Sequence, residues 1–278
     1  MAEFVLKMAK EKGELREEQT IVEVTSGNTG ISFSALGARY GYPVHIFMPD
    51  WASVERVKLM EGYGATVHLV SKEEGGFQEC LRRAEEFAKE IDGFRPNQFS
   101  NQDNALVHYK ETAKEILESL KEVKGFVSGV GSSGTLMGIA KRLKEENKNT
   151  KIFALEPRQL AVISGGAKFG SHKIEGIGDD FIPDLFNQEN IDRVITIDDC
   201  DAINMSKLLA QKMGIGVGIS SGANMLGAIV LNEEIGNGAV TVFADDNKKY
   251  LSTDLFGEYE IKEEFISNKI ELIDFEVM

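Results

Sequence analysis

Cysteine is scarce: Cys80 and Cys200 stand far apart in a chain of 278 residues. That excludes a disulfide framework and a cysteine-rich zinc site, and it fits a reducing cytoplasm. Histidine is nearly as sparse. His45, His68, His108 and His172 never fall at i, i+4 and none adjoins clustered carboxylates, so no metal centre is expected, and three of the four read as strand or helix surface residues. Basic charge is short as well, 31 Lys and Arg against 45 Asp and Glu, and the net charge of -14 excludes nucleic acid and anionic membrane surfaces as partners. No apolar run is long enough to cross a membrane. Near the start Lys7, Lys10 and Lys12 alternate with Glu3, Glu11 and Glu14, and no secretory core follows them. What remains is an ordinary globular composition, 42% hydrophobic and 27% charged, in a chain long enough for two lobes.

Helical and strand patterns alternate along most of the chain. Periodicity predicts helices over 2–12, 30–40, 53–63, 77–91, 105–120, 135–146, 201–213 and 222–234. Strands are predicted at 21–24, 44–48, 66–70, 125–128, 152–155, 194–197 and 239–243. The strands at 44–48 and 66–70 are nearly continuous apolar runs, as expected where helices cover both faces of a parallel sheet. The polar stretch 97–104 marks a lobe boundary, giving a smaller α/β lobe over 1–103 and a larger one over 104–278. Residues 158–191, rich in Gly and Asp, read as a functional surface segment with a short helix. From Tyr259 onward the chain is acidic with near-alternating apolar residues, read as an added edge strand or an interaction tail.

Three polar loops follow apolar strands and precede helices, where free backbone N–H groups gather and favour anions. The first is Thr25-Ser26-Gly27-Asn28-Thr29-Gly30. The second, Ser128-Gly129-Val130-Gly131-Ser132-Ser133-Gly134-Thr135, reads as a phosphate cradle in which glycines admit the phosphate and hydroxyls donate to it. It also satisfies G-x-G-x-x-G, with Glu156 closing the next strand, so a dinucleotide reading and a plain tight turn stay open beside the cradle. The third, Gly218-Ile219-Ser220-Ser221-Gly222, matches the G-x-S-x-G elbow of serine hydrolases. That fold needs a histidine after the serine, and the last histidine here is His172, so the hydrolase reading fails. Ser220 and Ser221 capping the next helix is the simpler alternative. A single ligand with a phosphate, an aromatic ring with a hydrogen-bonding edge and a partner carboxylate would use all three loops. Pyridoxal phosphate with an amino acid meets that description.

These loops, together with His172-Lys173-Ile174-Glu175-Gly176-Ile177-Gly178 and Tyr250-Leu251-Ser252-Thr253, occur in the order and spacing of cysteine synthase. The chain from Met1 to about Phe256 therefore resembles the O-acetylserine sulfhydrylase family of fold type II pyridoxal-phosphate enzymes. The resemblance implies a two-lobed α/β fold with mostly parallel sheets flanked by helices, a homodimer, and β-elimination or β-replacement on O-acetylserine or cysteine. It implies that Asn28 meets the cofactor's ring hydroxyl, that Thr25, Ser26, Thr29 and Gln98 bind the substrate carboxylate, that Gly131, Ser132, Ser133, Gly134 and Thr135 hold the phosphate, and that Ser220 faces the pyridine nitrogen. A neutral serine there does not hold the nitrogen protonated, which favours elimination over transamination.

The chain departs from that family at two places and lacks one residue. Gly131-Ser132-Ser133-Gly134-Thr135 replaces Gly-Thr-Gly-Gly-Thr and keeps hydroxyl donors. Asp179 and Asp180 stand where acetylserine-using members have a small residue and a glycine. Asp179 is a candidate general base that would also repel bisulfide, so cysteine breakdown to sulfide with serine or lanthionine competes with cysteine synthesis. A solvent-facing or helix-capping Asp179 is the alternative. Asp245-Asp246-Asn247 takes no role beyond shaping the site near the ring nitrogen. The family's Schiff-base lysine would fall just ahead of Met1, and Lys7, Lys10 and Lys12 read as solvated charges further along that helix. An upstream lysine block and a noncatalytic binding or scaffold protein that docks a partner peptide are the two readings of that gap.

Overall fold

Two parallel sheets position everything else. The structure, a computed structural model, describes residues 1–166 and 170–277. The first sheet has the order β1-β2-β3, built from β1 (Ile21–Val24), β2 (Val44–Pro49) and β3 (Thr66–Val70). The second has the order β6-β5-β4-β7, from β4 (Gly125–Gly129), β5 (Lys151–Pro157), β6 (Arg193–Ile197) and β7 (Ala239–Val240). All pairings are parallel, so crossovers must be helical. The helices of the first half are α1 (Ala2–Glu11), which precedes β1, α2 (Asn28–Tyr40), α3 (Val54–Gly62) and α4 (Gly76–Glu90). In the second they are α5 (Gln102–Val107), α6 (Ala113–Ser119), α7 (Gly134–Glu146), α8 (Asp199–Met213) and α9 (Ile219–Ile235). A π-helical turn at His108–Thr112 joins α5 to α6.

Local chemistry explains the boundaries. Asp198 caps α8 by accepting from the Cys200 backbone N–H at 3.0 Å, and Gly214 ends it in the left-handed conformation at φ 69°. Helix α4 buries Phe77, Cys80, Ala84 and Ala88 at helical spacing, and its wet face carries Arg82 and Arg83 on Glu79. Ile21 and Ile46 pack with Phe33 and α1 on one side of the first sheet, while Val22, Val24 and Phe47 meet α4 on the other. In the second sheet α8 and α9 cover one face and α7 the other.

Several expectations change. Strand β3 is not buried on both faces: it is the sheet edge, Val70 is its one buried residue, and Leu69 is 48% exposed. Strand β7 stops at Val240 because side chains take over the ladder's bonds; the Thr241 hydroxyl donates to the Val127 carbonyl and Asn224 Nδ2 to the Val242 carbonyl. No edge strand forms among the described residues after Tyr259. Residues after Tyr259 hold one 3-10 turn, Ser267–Lys269, whose Ser267 is tied to Asp201. Within 158–191 there are 3-10 turns at Arg158–Leu160 and Gln188–Asn190 rather than a short helix; residues 167–169 lie outside the described part.

Candidate active site

The first loop leaves β1 and opens α2. The Gly27 N–H donates to Thr25 Oγ1 at 2.9 Å, and the Thr29 hydroxyl donates to Gln98 Oε1 at 2.8 Å. Gln98 Nε2 in turn donates to the Val24 carbonyl at 2.7 Å, so Thr29 and Gln98 are braced against the end of β1. Asn28 Nδ2 donates to Asp245 Oδ2 at 3.0 Å, while Asn28 Oδ1 is buried with no partner among the described residues. A buried acceptor left empty costs free energy unless a ligand fills it.

The second loop turns from β4 into α7. Ser133 sits in the left-handed region at φ 69°, and its hydroxyl is also buried without a partner among the described residues. Gly131 must be bare, because a Cβ there would lie 2.4 Å from the Gly176 carbonyl oxygen. Asn104 Nδ2 donates both to Ser132 Oγ at 2.9 Å and to the Gln98 carbonyl at 2.8 Å, which ties the second loop to the first. Thr135 Oγ1 lies 3.2 Å from His108 Nε2.

The third loop does not cap its helix with serines. Gly218 is the N-cap of α9, Ser220 lies buried in the first turn, and Ser221 Oγ accepts from the Ala244 N–H at 3.1 Å. The dinucleotide reading also loses its acid, since Glu156 accepts from the Ile163 and Ser164 N–H groups and so holds the following loop. Asp245 joins the third loop to the first: its carbonyl accepts from the Gly218 N–H at 3.1 Å, and its side chain, fully buried, accepts from Asn28 Nδ2 and from the Tyr250 hydroxyl.

A cleft of about 690 Å³ collects Ser26, Ile219, Glu175 and Asp179 on its walls. Asp179 is half-buried by area, yet burial, with Asp180 as a like-charged neighbour, pushes its carboxyl up to about 7. It lines the cleft wall and is the cap of no described helix. Asp180 accepts from Gln78 at 3.2 Å, and Phe181 packs among Phe77 and Phe99 of the first half, which anchors the acidic turn across the cleft. His172 donates from Nε2 to the Gly178 carbonyl at 2.7 Å, since its Nδ1 accepts from the Ile174 N–H.

Arg56 of α3 escaped the sequence reading. It is 1% exposed, pairs with Glu175 and lies 3.6 Å from Asp245, with its guanidinium over the Tyr250 ring at 4.3 Å. A Cβ on Gly27 would meet its Nε at 2.3 Å, which explains that glycine. In sequence it is one charge among many on a surface helix. His45 and His68 lie on strands as expected and meet at 3.0 Å across β2 and β3: the register opposes His45 to Thr66 and His68 to Phe47, so the two rings are diagonal neighbours on one face. Lys12 is no free charge either, as it pairs with Asp103 at 2.6 Å.

A family described as "Pyridoxal-phosphate dependent enzyme" matches residues 1–245. Cysteine synthase of Staphylococcus aureus strain Mu50 is 39% identical over 256 residues, covering 91% of this chain and 82% of that protein. A hydrogen sulfide-producing enzyme from Fusobacterium nucleatum superposes with a TM-score of 0.92 at 51% identity, over 96% of this chain and 82% of that one. Cysteine synthase from Entamoeba histolytica superposes with a TM-score of 0.85 at 38% identity, over 96% of this chain and 80% of that one.

Proposed function

Since the chain belongs to the pyridoxal-phosphate dependent enzyme family and is cysteine synthase-like, we propose that it acts on cysteine, exchanging the thiol for water or a second thiol and releasing hydrogen sulfide. The observation that carries this reading is Asp179, a carboxyl on the cleft wall that burial keeps half-ionised near neutral pH. Water or a thiol must lose a proton as it bonds to the β-carbon, and an acid of this strength takes that proton without needing an alkaline medium. The same carboxylate repels bisulfide in a cleft of low dielectric, which disfavours the synthetic direction. Cysteine synthesis from O-acetylserine is the second reading, favoured by the named cysteine synthases at nearly 40% identity. The scaffold reading is not favoured, because the relatives are enzymes by name.

Pyridoxal phosphate supplies the electron sink for breaking bonds next to the amino-acid α-carbon. Two of the buried atoms without a partner among the described residues support its fit: Asn28 Oδ1 faces a missing donor and Ser133 Oγ a missing acceptor. In this placement Gly131, Ser132, Ser133, Gly134 and Thr135 surround the phosphate, Ser220 faces the pyridine nitrogen, and Thr25, Ser26, Thr29 and Gln98 orient the substrate carboxylate. Asp245 fixes the amide of Asn28 by accepting from its Nδ2. The proposal extends to lobes at 1–103 and 104–278, carried by the separation of the two sheets, and to a cytoplasmic homodimer by resemblance.

Ser133→Ala should weaken pyridoxal-phosphate binding about fivefold, the worth of one hydrogen bond. The melting temperature should hold, because that hydroxyl bonds no protein group; a cofactor titration by fluorescence and a thermal melt check both. The direction of the reaction is tested with the family lysine block supplied ahead of α1. Sulfide release from cysteine should exceed cysteine formation from O-acetylserine and sulfide, and the opposite order would reject the reading.

A further inference from the structure

Glu23 is a buried carboxyl that the reaction does not use. It sits in β1, fully buried, two residues before Thr25. Its Oε1 accepts from the Val24 N–H at 2.7 Å and its Oε2 from the Gln98 N–H at 3.2 Å. Those two residues frame the carboxylate-binding loop: Gln98 receives the Thr29 hydroxyl, and the Val24 carbonyl receives the Gln98 amide. The loop meant for an anion is thus built directly on another anion. Two carboxylates in one low-dielectric site cannot both stay ionised cheaply.

We propose that Glu23 is a proton-linked positioning residue of the carboxylate-binding loop: a substrate carboxylate arriving at Thr25, Thr29 and Gln98 shifts Glu23 toward its protonated form, the proton coming from solvent. The inference rests on the reading of those residues as the carboxylate site. The surroundings agree with it. Burial, opposed by the Val24 N–H and then by Arg95, leaves Glu23 titrating at about 7, so the proton is available in the working range. Arg95 faces it from the segment after α4, and its own Nε is buried without a partner among the described residues. On β2 its register partner is Ile46. Strand alternation turns it to the side of α2, whose titratable groups, Arg39 and Tyr40, stand at the far end of that helix. The Lys12–Asp103 pair joins α1 to α5 further along the Gln98 segment. Bound carboxylate adds a second negative charge to a loop that Arg95 faces near Glu23 and Arg56 backs at Gly27, and protonation of Glu23 eases the conflict between the two acids.

The test follows the Glu23 carboxyl by NMR in the cofactor-loaded protein with labelled glutamate, the resonance being assigned by its loss in Glu23→Gln. Propionate, which carries the carboxylate and no amine, is the probe. Its saturation should raise the Glu23 midpoint by about one pH unit, and propionate affinity should fall about tenfold as pH rises through that range. In Glu23→Gln the dependence should shrink to the part that Asp179 contributes and become flat when Asp179→Asn is added, while Asp179→Asn alone should keep the Glu23 part, which separates the two acids. A midpoint that stays put while the Thr25 and Thr29 amides respond to propionate overturns the inference and leaves the carboxylate site standing. If those amides do not respond and Thr29→Val binds propionate as before, the site reading itself falls, and the inference with it.

Discussion

Asp179→Asn is expected to lower sulfide release from cysteine about a hundredfold, at the low end of what a positioned general base contributes. Asparagine keeps the shape and cannot take a proton. The unsubstituted enzyme should gain activity as pH rises through about 7, where Asp179 ionises, and the variant should lose that limb of the profile. Cysteine formation from O-acetylserine and bisulfide should fall much less, because the change also removes the charge that repels the nucleophile. Stability provides an independent check. An acid whose folded-state value is raised binds more protons folded than unfolded between the two midpoints. Asp179 therefore costs stability as pH rises from its ordinary value of 3.8 to about 7, and the variant should melt higher than the parent above that window. Sulfide release within a factor of about two of the parent would reject the base.

Arg56→Met should destabilise the protein by about 3–5 kcal/mol, because it strands buried Glu175 without its cation and leaves Asp245 only the longer 4.0 Å contact to Lys249. For a chain of this size that is a fall of roughly 10 °C in melting temperature. Glu175 is already pushed up by burial, with Arg56 as the main opposing influence, so the carboxyl is left more strongly raised once the guanidinium is gone. The loss should ease at low pH, where Glu175 takes a proton, and should be partly recovered by adding Glu175→Gln. The site should suffer as well, since Arg56 backs Gly27 and Asp245 holds Asn28. A melting temperature unchanged across pH would show that the cluster carries no such energy.

How much of this was legible in advance follows from the range of each interaction. Strand β1 and the loop after it were readable because an apolar run, a polar block and a helical pattern follow one another within a few residues. The loop between β4 and α7, proposed to hold the phosphate, was readable for the same reason. Asn104 was not, although it ties Ser132 to Gln98, because its role depends on two segments far from each other in the chain. Asp245 lay in a turn that drew notice but no function, and its partners Asn28 and Arg56 come from the other half of the chain.

By itself, then, the amino-acid order determined the alternation of strands and helices, the three polar loops and the resemblance to a pyridoxal-phosphate dependent family, since periodicity, turn residues and motif spacing are local properties. Tertiary structure alone decided that β3 is an edge, that α9 is capped by a glycine rather than a serine, and that His45 meets His68. It also decided the buried charges: Glu23 beneath the carboxylate loop, Asp179 on the cleft wall, and Arg56 between Glu175 and Asp245. Desolvation and Coulomb coupling depend on what surrounds a group in space, and only packing the two sheets with their helices sets that environment.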